Sequence, residues 1–249
     1  MLAIIGGSGL TGLASLEVTR KQIVRTPYGE PSGPLTLGRI HGGEVAFLAR
    51  HGYGHTLAPH EINYRANLWA LKDRGITRIL AVCTVGGIAP GLAAGDIVIP
   101  DQIIDYTWGR DSTFFEGAEQ PVVHVDFTHP FCETTRGMLI DAAAAAGVAV
   151  VPRGTYAAVQ GPRLETAAEV NRLERDGADF VGMTGMPEAA LARELEIPYA
   201  TLAVVANPAA GRGSSVQAIS LEDIAKVLKE AMGRVRRVVE TVVQRHGHP

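Results

Sequence analysis

Ser8 sits inside the opening stretch MLAIIGGSGLTG, where Gly7, Gly9 and Gly12 fall at G-x-G-x-x-G spacing. Glycines let a backbone approach an anion closely, and free N–H groups beside a small hydroxyl suit phosphate oxygens. The same spacing is the dinucleotide fingerprint. That site, however, needs a full helix after the loop, and then an acid about 20 residues on, ending a second strand. Glu30 lies instead in the turn-rich YGEPSGP. A nicotinamide cofactor is therefore not expected, and a tight structural turn is the competing account of the glycines. Phosphate also requires a cation and further hydroxyls from other loops. Arg50 and His51, Thr84 and Thr184 stand at expected strand ends and can supply them. Local bonding at a strand end for Thr84, and a structural hydrogen-bonding role for His51, are the plainer alternatives. His51 and His55 invite a zinc site, but Gly52 and Gly54 disfavour a helix there and no H-E-x-x-H occurs, so no metal is expected.

Positioning such groups requires strand ends. Residues 2 to 6 predict a buried strand, and 35 to 40 and 44 to 50 two more, joined by a hairpin turn at Gly42-Gly43. A helix is expected over 61 to 74, using Ile62, Leu68 and Leu71 and stopped by Gly75. RILAVCTVGG is a continuous apolar strand covered on both faces, and GDIVIPDQIID another strand. Beyond these come a helix from Pro130 to Ala146, the strand VVPRGTYAAV, a helix from Leu164 to Arg175, and the short strand FVGM. Pro187 to Leu195 reads as a helix opened by its proline, followed by the strand YATLAVVAN. Ser220 caps a last helix running to about Gln244, with Asp223 in its first turn, and RHGHP is a frayed tail. Alternating strands and helices, without linker or repeat, imply one α/β domain over 1–249. The early hairpin argues for a mixed, partly curled sheet. Ligands in such sheets bind beyond the strand carboxyl ends, here the segments ending at Gly6, Arg50, Thr84, Met183 and Asn207.

Composition narrows the class of function. The 249 residues suffice for a sizeable core, and 46% hydrophobic with 20% charged residues is ordinary for a globular protein. A net charge of -3 offers no basic field for nucleic acid; Arg234, Arg236 and Arg237 read as a solvated helix face. Cys83 and Cys132 form neither a disulfide framework nor a metal cluster. No signal peptide or membrane span is apparent, and a cytoplasmic enzyme is expected.

The stretches IIGGSGL, LARHGYGHTLAPHEINYRANLWALK, GDIVIPDQIID, GPRLETAAE and MTGMPEAALARE, in this order, resemble the trimeric purine nucleoside phosphorylases, particularly their methylthioadenosine phosphorylase branch. The resemblance covers nearly the whole chain. It implies a three-layer nucleoside phosphorylase fold, with the mixed central sheet flanked by helices. The implied chemistry is cleavage of a purine nucleoside by inorganic phosphate, a co-substrate, with no cofactor. Ser8, Arg50, His51, Thr84 and Thr184 then surround phosphate, and Val85 lines the phosphate and sugar region. Met183 crosses the ribose, unless it is core, and Leu164 stacks on the purine. Leu221 and Ile224 flank the nucleoside 5′ end, unless they are the core stripe of the last helix. His124 resembles a residue sent into a neighbouring subunit's site; a surface or interface histidine is the alternative. A homotrimer is implied, with a hexamer open.

Two positions depart from the adenine-specific members, which resemble one another in carrying two aspartates after MTGMPE. Here Asn207 and Ala209 stand in their place. A carboxylate accepts from a 6-amino group but repels a 6-carbonyl, whereas a carboxamide both donates and accepts. Glu165 resembles the glutamate that accepts from purine N1–H in the 6-oxopurine branch; a helix first-turn carboxylate is its alternative. Apolar Leu221 and Ile224 suit a methylthio group better than a hydroxyl. The resemblance therefore implies a 6-oxopurine nucleoside with a 5′-methylthio group, methylthioinosine. Methylthioadenosine, and then inosine or guanosine, are the alternatives.

Overall fold

The computed structural model describes residues 1–10, 12–117 and 121–247. Continuous apolar runs form its central strands. β1 (Leu2–Gly6) is buried throughout and lies parallel between β4 (Gly43–Ala49) and the start of β5 (Arg78–Gly87). β4 turns back on β3 (Leu35–Ile40), which pairs antiparallel with β2 (Glu17–Gln22). On the other side come the short β6 (Ile97–Val98), β7 (Gln102–Asp105), β8 (Thr155–Ala158) and β9 (Phe180–Gly182), and the long β10 (Tyr199–Pro208). The order is β2-β3-β4-β1-β5-β9-β8-β7, with β10 pairing β5 and β6. β5 is the branch point. β10 runs parallel along it, whereas its last residues, Gly86 and Gly87, pair antiparallel with β9. A strand that changes partners along its length curls the sheet, giving the mixed, bent form expected.

Period-two alternation in β5 sorts the core. Ile79, Ala81, Cys83 and Val85 pack on one face, and Leu80 and Val82 on the other. The first face is covered by α1 (Tyr64–Asp73) and α4 (Glu188–Glu194), through Leu68, Leu71 and Leu191. The second is covered by α2 (Glu133–Ala145) and α5 (Leu221–His246), whose Val235, Val239 and Val242 recur at helical spacing. α3 (Ala167–Arg175) packs Val170 and Leu173 over the β8–β9 end. This is the expected three-layer α/β arrangement. No helix among the described residues is long and apolar enough to cross a membrane.

Local chemistry explains the departures from expectation. The hairpin turn is His41-Gly42, not Gly42-Gly43: both turn residues have positive φ (48° and 83°), as a two-residue turn matching strand twist requires. α1 starts at Tyr64 because the Asn63 side chain accepts from Ala66 N–H, leaving Ile62 outside the helix. GDIVIPDQIID splits into β6 and β7 about Pro100, which lacks the N–H a ladder needs. VVPRGTYAAV shrinks to β8, and the Pro130 helix starts only at Glu133. β2 had no apolar alternation to betray it; it is a charged edge strand, EVTRKQ, exposed along most of its length. α5 continues to His246; of the expected frayed tail, His248 and Pro249 lie outside the described residues.

Leu68 is fully buried between α1 and the sheet. Leu68→Ala is expected to lower unfolding free energy by about 2–5 kcal/mol, measured by urea denaturation.

Candidate active site

The strand carboxyl ends converge on a cavity of about 220 Å³. Its wall includes Ser8, Arg50, His51, Thr84, Val85, Leu164, Glu165, Met183, Thr184, Asn207, Ala209 and Ile224, twelve residues singled out in the sequence. They come from the ends of β1, β4, β5, β9 and β10, from the turn before α3, and from α5. Leu221 and His124 are not in the wall. Leu221 begins α5 on its outer face and is 72% exposed. His124 is exposed on the segment before α2. The apolar wall near α5 is instead made by Ile219, Ile224 and Leu228, with Pro59 also lining the cavity. Ile219, Leu228 and Pro59 were not singled out; Leu228 was discoverable as the residue one helical turn beyond Ile224.

Arg50 is the centre of the charge arrangement. Its side chain is 1% exposed, and that of Glu188 is fully buried. Nε and Nη2 donate to the two Glu188 carboxylate oxygens at 2.6 and 2.7 Å, and Nη1 donates to the Val82 carbonyl at 2.8 Å. Tyr199 donates its hydroxyl to Glu188 Oε1 at 2.8 Å. Burial opposes the guanidinium charge, but the Glu188 carboxylate more than offsets it, so Arg50 is held protonated more firmly than a free arginine. Of five N–H donors, these bonds use three, leaving two for an anion. Glu188 was missed in the sequence: an acid in the first turn of a helix, in MPEAALARE, gives no sign that it faces inward.

The glycine loop has a steric explanation. A Cβ on Gly7 would lie 2.5 Å from the Val82 carbonyl and 2.9 Å from Arg50 Nη1, so only glycine admits the guanidinium here. Gly9 has φ +81°, the left-handed region. A Cβ on Gly12 meets nothing within 4 Å, and β2, not a helix, follows the loop. The third glycine thus has no steric duty, and the dinucleotide spacing is coincidental.

Around Arg50 the polar groups are already oriented. His51 Nδ1 lies 2.9 Å from the Leu57 carbonyl, which only accepts, so Nδ1 carries the proton and Nε2 a lone pair. Burial, aided by the adjacent Arg50 charge, pushes the His51 pKa down to about 4. The imidazole is therefore neutral near pH 7 and offers an acceptor to a protonated oxygen. Thr84 Oγ1 donates to the Ser8 carbonyl at 3.2 Å, tying β5 to the glycine loop. Ser8 Oγ lies 3.4 Å from His55 Nε2. Cys83 also lines the cavity, but burial pushes its thiol up to about 12, so it is no thiolate nucleophile at neutral pH.

The opposite end is set by two local irregularities. The β5–β10 register slips between Val205 and Asn207, leaving Ala206 as an extra residue. Such a bulge re-aims side chains. Ala206 and Asn207 both line the cavity at this bulge. Asn207 Nδ2 donates to the Pro208 carbonyl at 2.6 Å, leaving its second N–H and Oδ1 for a ligand. The helix expected from Leu164 starts later. Thr166 is the N-cap of α3 and forms a capping box with Glu169, so Leu164 and Glu165 precede the helix. Glu169 is the first-turn carboxylate and also takes Arg163 at 2.6 Å. Glu165 is left facing the cavity, its carboxyl raised above the usual range chiefly by burial.

A guanidinium with two free donors, a carboxyl and a carboxamide line one strand-end cleft of an α/β enzyme and can hold an anion beside a polar ligand. The chain belongs to the phosphorylase superfamily, whose model matches residues 1–244, and inorganic phosphate is its co-substrate. It is 53% identical over 241 residues to a probable S-methyl-5'-thioinosine phosphorylase of Pseudomonas syringae pv. tomato, covering 97% of each chain. It is 52% identical over 215 residues to the 6-oxopurine nucleoside phosphorylase of Pyrococcus furiosus, covering 84% of this chain and 80% of that one. The methylthioadenosine phosphorylase of Schistosoma mansoni, solved with adenine, superposes with TM-score 0.94 at 33% identity, over 100% of this chain and 92% of that one. Among the described residues, no group of three or more His, Cys, Asp or Glu side chains is placed to hold a metal ion.

Removing the charge of one member of a buried pair is costly. Glu188→Gln is expected to lower stability by about 3–5 kcal/mol and to raise the KM for phosphate by loosening Arg50. Denaturant titration and phosphate-dependent initial rates check both.

Proposed function

We propose that the chain cleaves S-methyl-5'-thioinosine with inorganic phosphate, giving hypoxanthine and S-methyl-5-thio-α-D-ribose 1-phosphate. The supporting observation is that Asn207 and Glu165 face the same cavity as Arg50, with no carboxylate at position 207 or 209. Asn207 donates to O6 and serves the N7 side, while ionised Glu165 accepts from N1–H. A 6-aminopurine reverses the polarity at both places. Ile219, Ile224, Leu228 and Pro59 give the 5′ end an apolar wall, which suits a methylthio group. The relatives named for methylthioinosine and for 6-oxopurine nucleosides agree with this choice.

In the proposed reaction the C1′–N9 bond breaks as its electron pair passes to the purine, which leaves as neutral hypoxanthine by taking up the proton that the attacking phosphate gives up. Asn207 and Glu165 stabilise and orient the base while that charge grows. A phosphate oxygen forms the new bond to C1′. Arg50 neutralises and places the phosphate, and Ser8, Thr184 and, once its hydroxyl turns from the Ser8 carbonyl, Thr84 fix its oxygens. Neutral His51 accepts from a protonated phosphate oxygen. Met183 and Val85 hold the ribose, and Leu164 covers the base. Holding both reactants in one cavity removes most of the entropic cost of their encounter. We also propose that the working unit is a homotrimer. His124, exposed beside the exposed Val122 and Val123, then belongs to a neighbour's cavity rather than its own.

The decisive measurement compares methylthioinosine, methylthioadenosine, inosine and adenosine at saturating phosphate. Methylthioinosine is expected to have the highest kcat/KM; efficient methylthioadenosine cleavage with negligible methylthioinosine cleavage overturns the proposal. Asn207→Asp is expected to shift the 6-amino to 6-oxo ratio at least about tenfold toward the amino substrate, the scale of one mismatched polar contact. Preference is also expected to depend on pH. Because the Glu165 pKa is raised, acidification protonates it above the usual carboxylate range. It then stops accepting from N1–H, so the 6-oxo preference declines toward the acid side, and Glu165→Gln removes that dependence. Rate ratios between pH 5 and 8 test this.

A further inference from the structure

Arg110 lies outside the cavity, on the segment between β7 and α2, and touches none of the groups assigned to phosphate or base. We propose that it is a positioning residue that locks the base-side loop and the sugar-phosphate loop into one geometry. The inference rests on the phosphorolysis proposed above and adds the element that holds its two halves together.

The hydrogen bonds of one guanidinium carry the proposal. Nη1 donates to the Met183 carbonyl at 2.8 Å and the Met186 carbonyl at 2.6 Å, bracketing Thr184. Nη2 donates to the Gln160 carbonyl at 2.8 Å and the Val159 carbonyl at 3.3 Å, and Nε to Gln160 Oε1 at 3.2 Å. Val159 and Gln160 begin the loop that carries Leu164 and Glu165. A third arm reaches Tyr64: its ring lies under the guanidinium at 5.6 Å, and its hydroxyl accepts from Nη1 at 3.3 Å. That hydroxyl donates in turn to the carbonyl of Pro59, a cavity wall residue, at 2.9 Å.

Every donor of the planar fork is thus spent on backbone or side-chain acceptors of site-forming segments. Among the described residues, no other side chain joins the strand-end loops after β8 and β9 through so many hydrogen bonds. An ammonium cannot reproduce this: it is a compact charge with three donors and cannot span two loops. The same segment leads on to His124, and Arg65 holds it by ion pairs to Asp111 and Glu116. Arg110 therefore also fixes where this segment leaves the site.

The test is Arg110→Lys, which keeps the charge but loses the fork. Both KM values, for phosphate and for nucleoside, are expected to rise, and kcat/KM to fall about 10- to 100-fold, as for misplacement of reacting groups by about an ångström. Amide hydrogen exchange, followed without substrate, is expected to quicken at 159–165 and 183–187, with the melting midpoint and the exchange of the central strands little changed. Gln160→Ala removes the acceptor of Arg110 Nε, and with it the acceptor of the Trp108 N–H, both on the base side; it is expected to raise the nucleoside KM while leaving the phosphate KM in place. Kinetics within twofold of the parent with unaltered loop exchange overturn the proposal. So does a loss confined to the fraction of active enzyme with both KM values intact, which marks a merely structural arginine. Should Arg110→Lys not fold, Gln160→Ala decides alone, and an unchanged nucleoside KM rejects the role. If the parent cleaves no nucleoside, phosphorolysis falls, while exchange in the two loops still decides the part played by Arg110.

Discussion

A guanidinium and a carboxylate, both removed from water, face each other at the heart of this fold. Neither charge is tolerable there alone. Arg50 arrives from the end of β4 and Glu188 from the first turn of α4, 138 residues apart in the chain. Their pairing fixes helix to sheet and also fixes a charge at the mouth of the strands. Other features follow from it. Gly7 is glycine because the guanidinium occupies the space of its side chain. His51 stays neutral because it is buried beside a permanent cation. Tyr199 turns its hydroxyl inward to complete the carboxylate's partners.

What the sequence disclosed divides along physical lines. β1, β5 and β10 were legible because strands covered on both faces are uniformly apolar. Their ends located the cavity, so Ser8, Arg50, Thr84 and Asn207 could be placed together from strand-end logic and family resemblance. β2 was invisible because an edge strand with charged side chains carries no periodicity. Glu188 and Arg110 were invisible for a related reason: a residue's type reports its charge, and only three-dimensional neighbours report whether that charge is buried or what its donors reach. Helix starts were misjudged where capping decided them, at Asn63 and Thr166. The error at Thr166 mattered most, since it is what frees Glu165 from helix duty.

Fold and specificity reside in different parts of the molecule. The chain superposes on the Schistosoma mansoni methylthioadenosine phosphorylase with TM-score 0.94, although only 33% of positions are identical. Such agreement reflects the shared core and its layer packing. In the proposed assignment the base end rests on a handful of side chains set on a bulge and on the loop before α3, neither of which contributes a stripe to the core.

The extra residue in β10 has a consequence for how such a molecule changes over generations. Ala206 absorbs the irregularity, so Asn207 projects into the cleft rather than into either packed layer. Substitution at that site changes a cavity-lining group, the base's partner in the proposed assignment, without emptying or crowding the interior. Under the proposed assignment, natural variation there is sieved by chemistry rather than by folding, and a change of nucleobase preference needs no rearrangement of the scaffold.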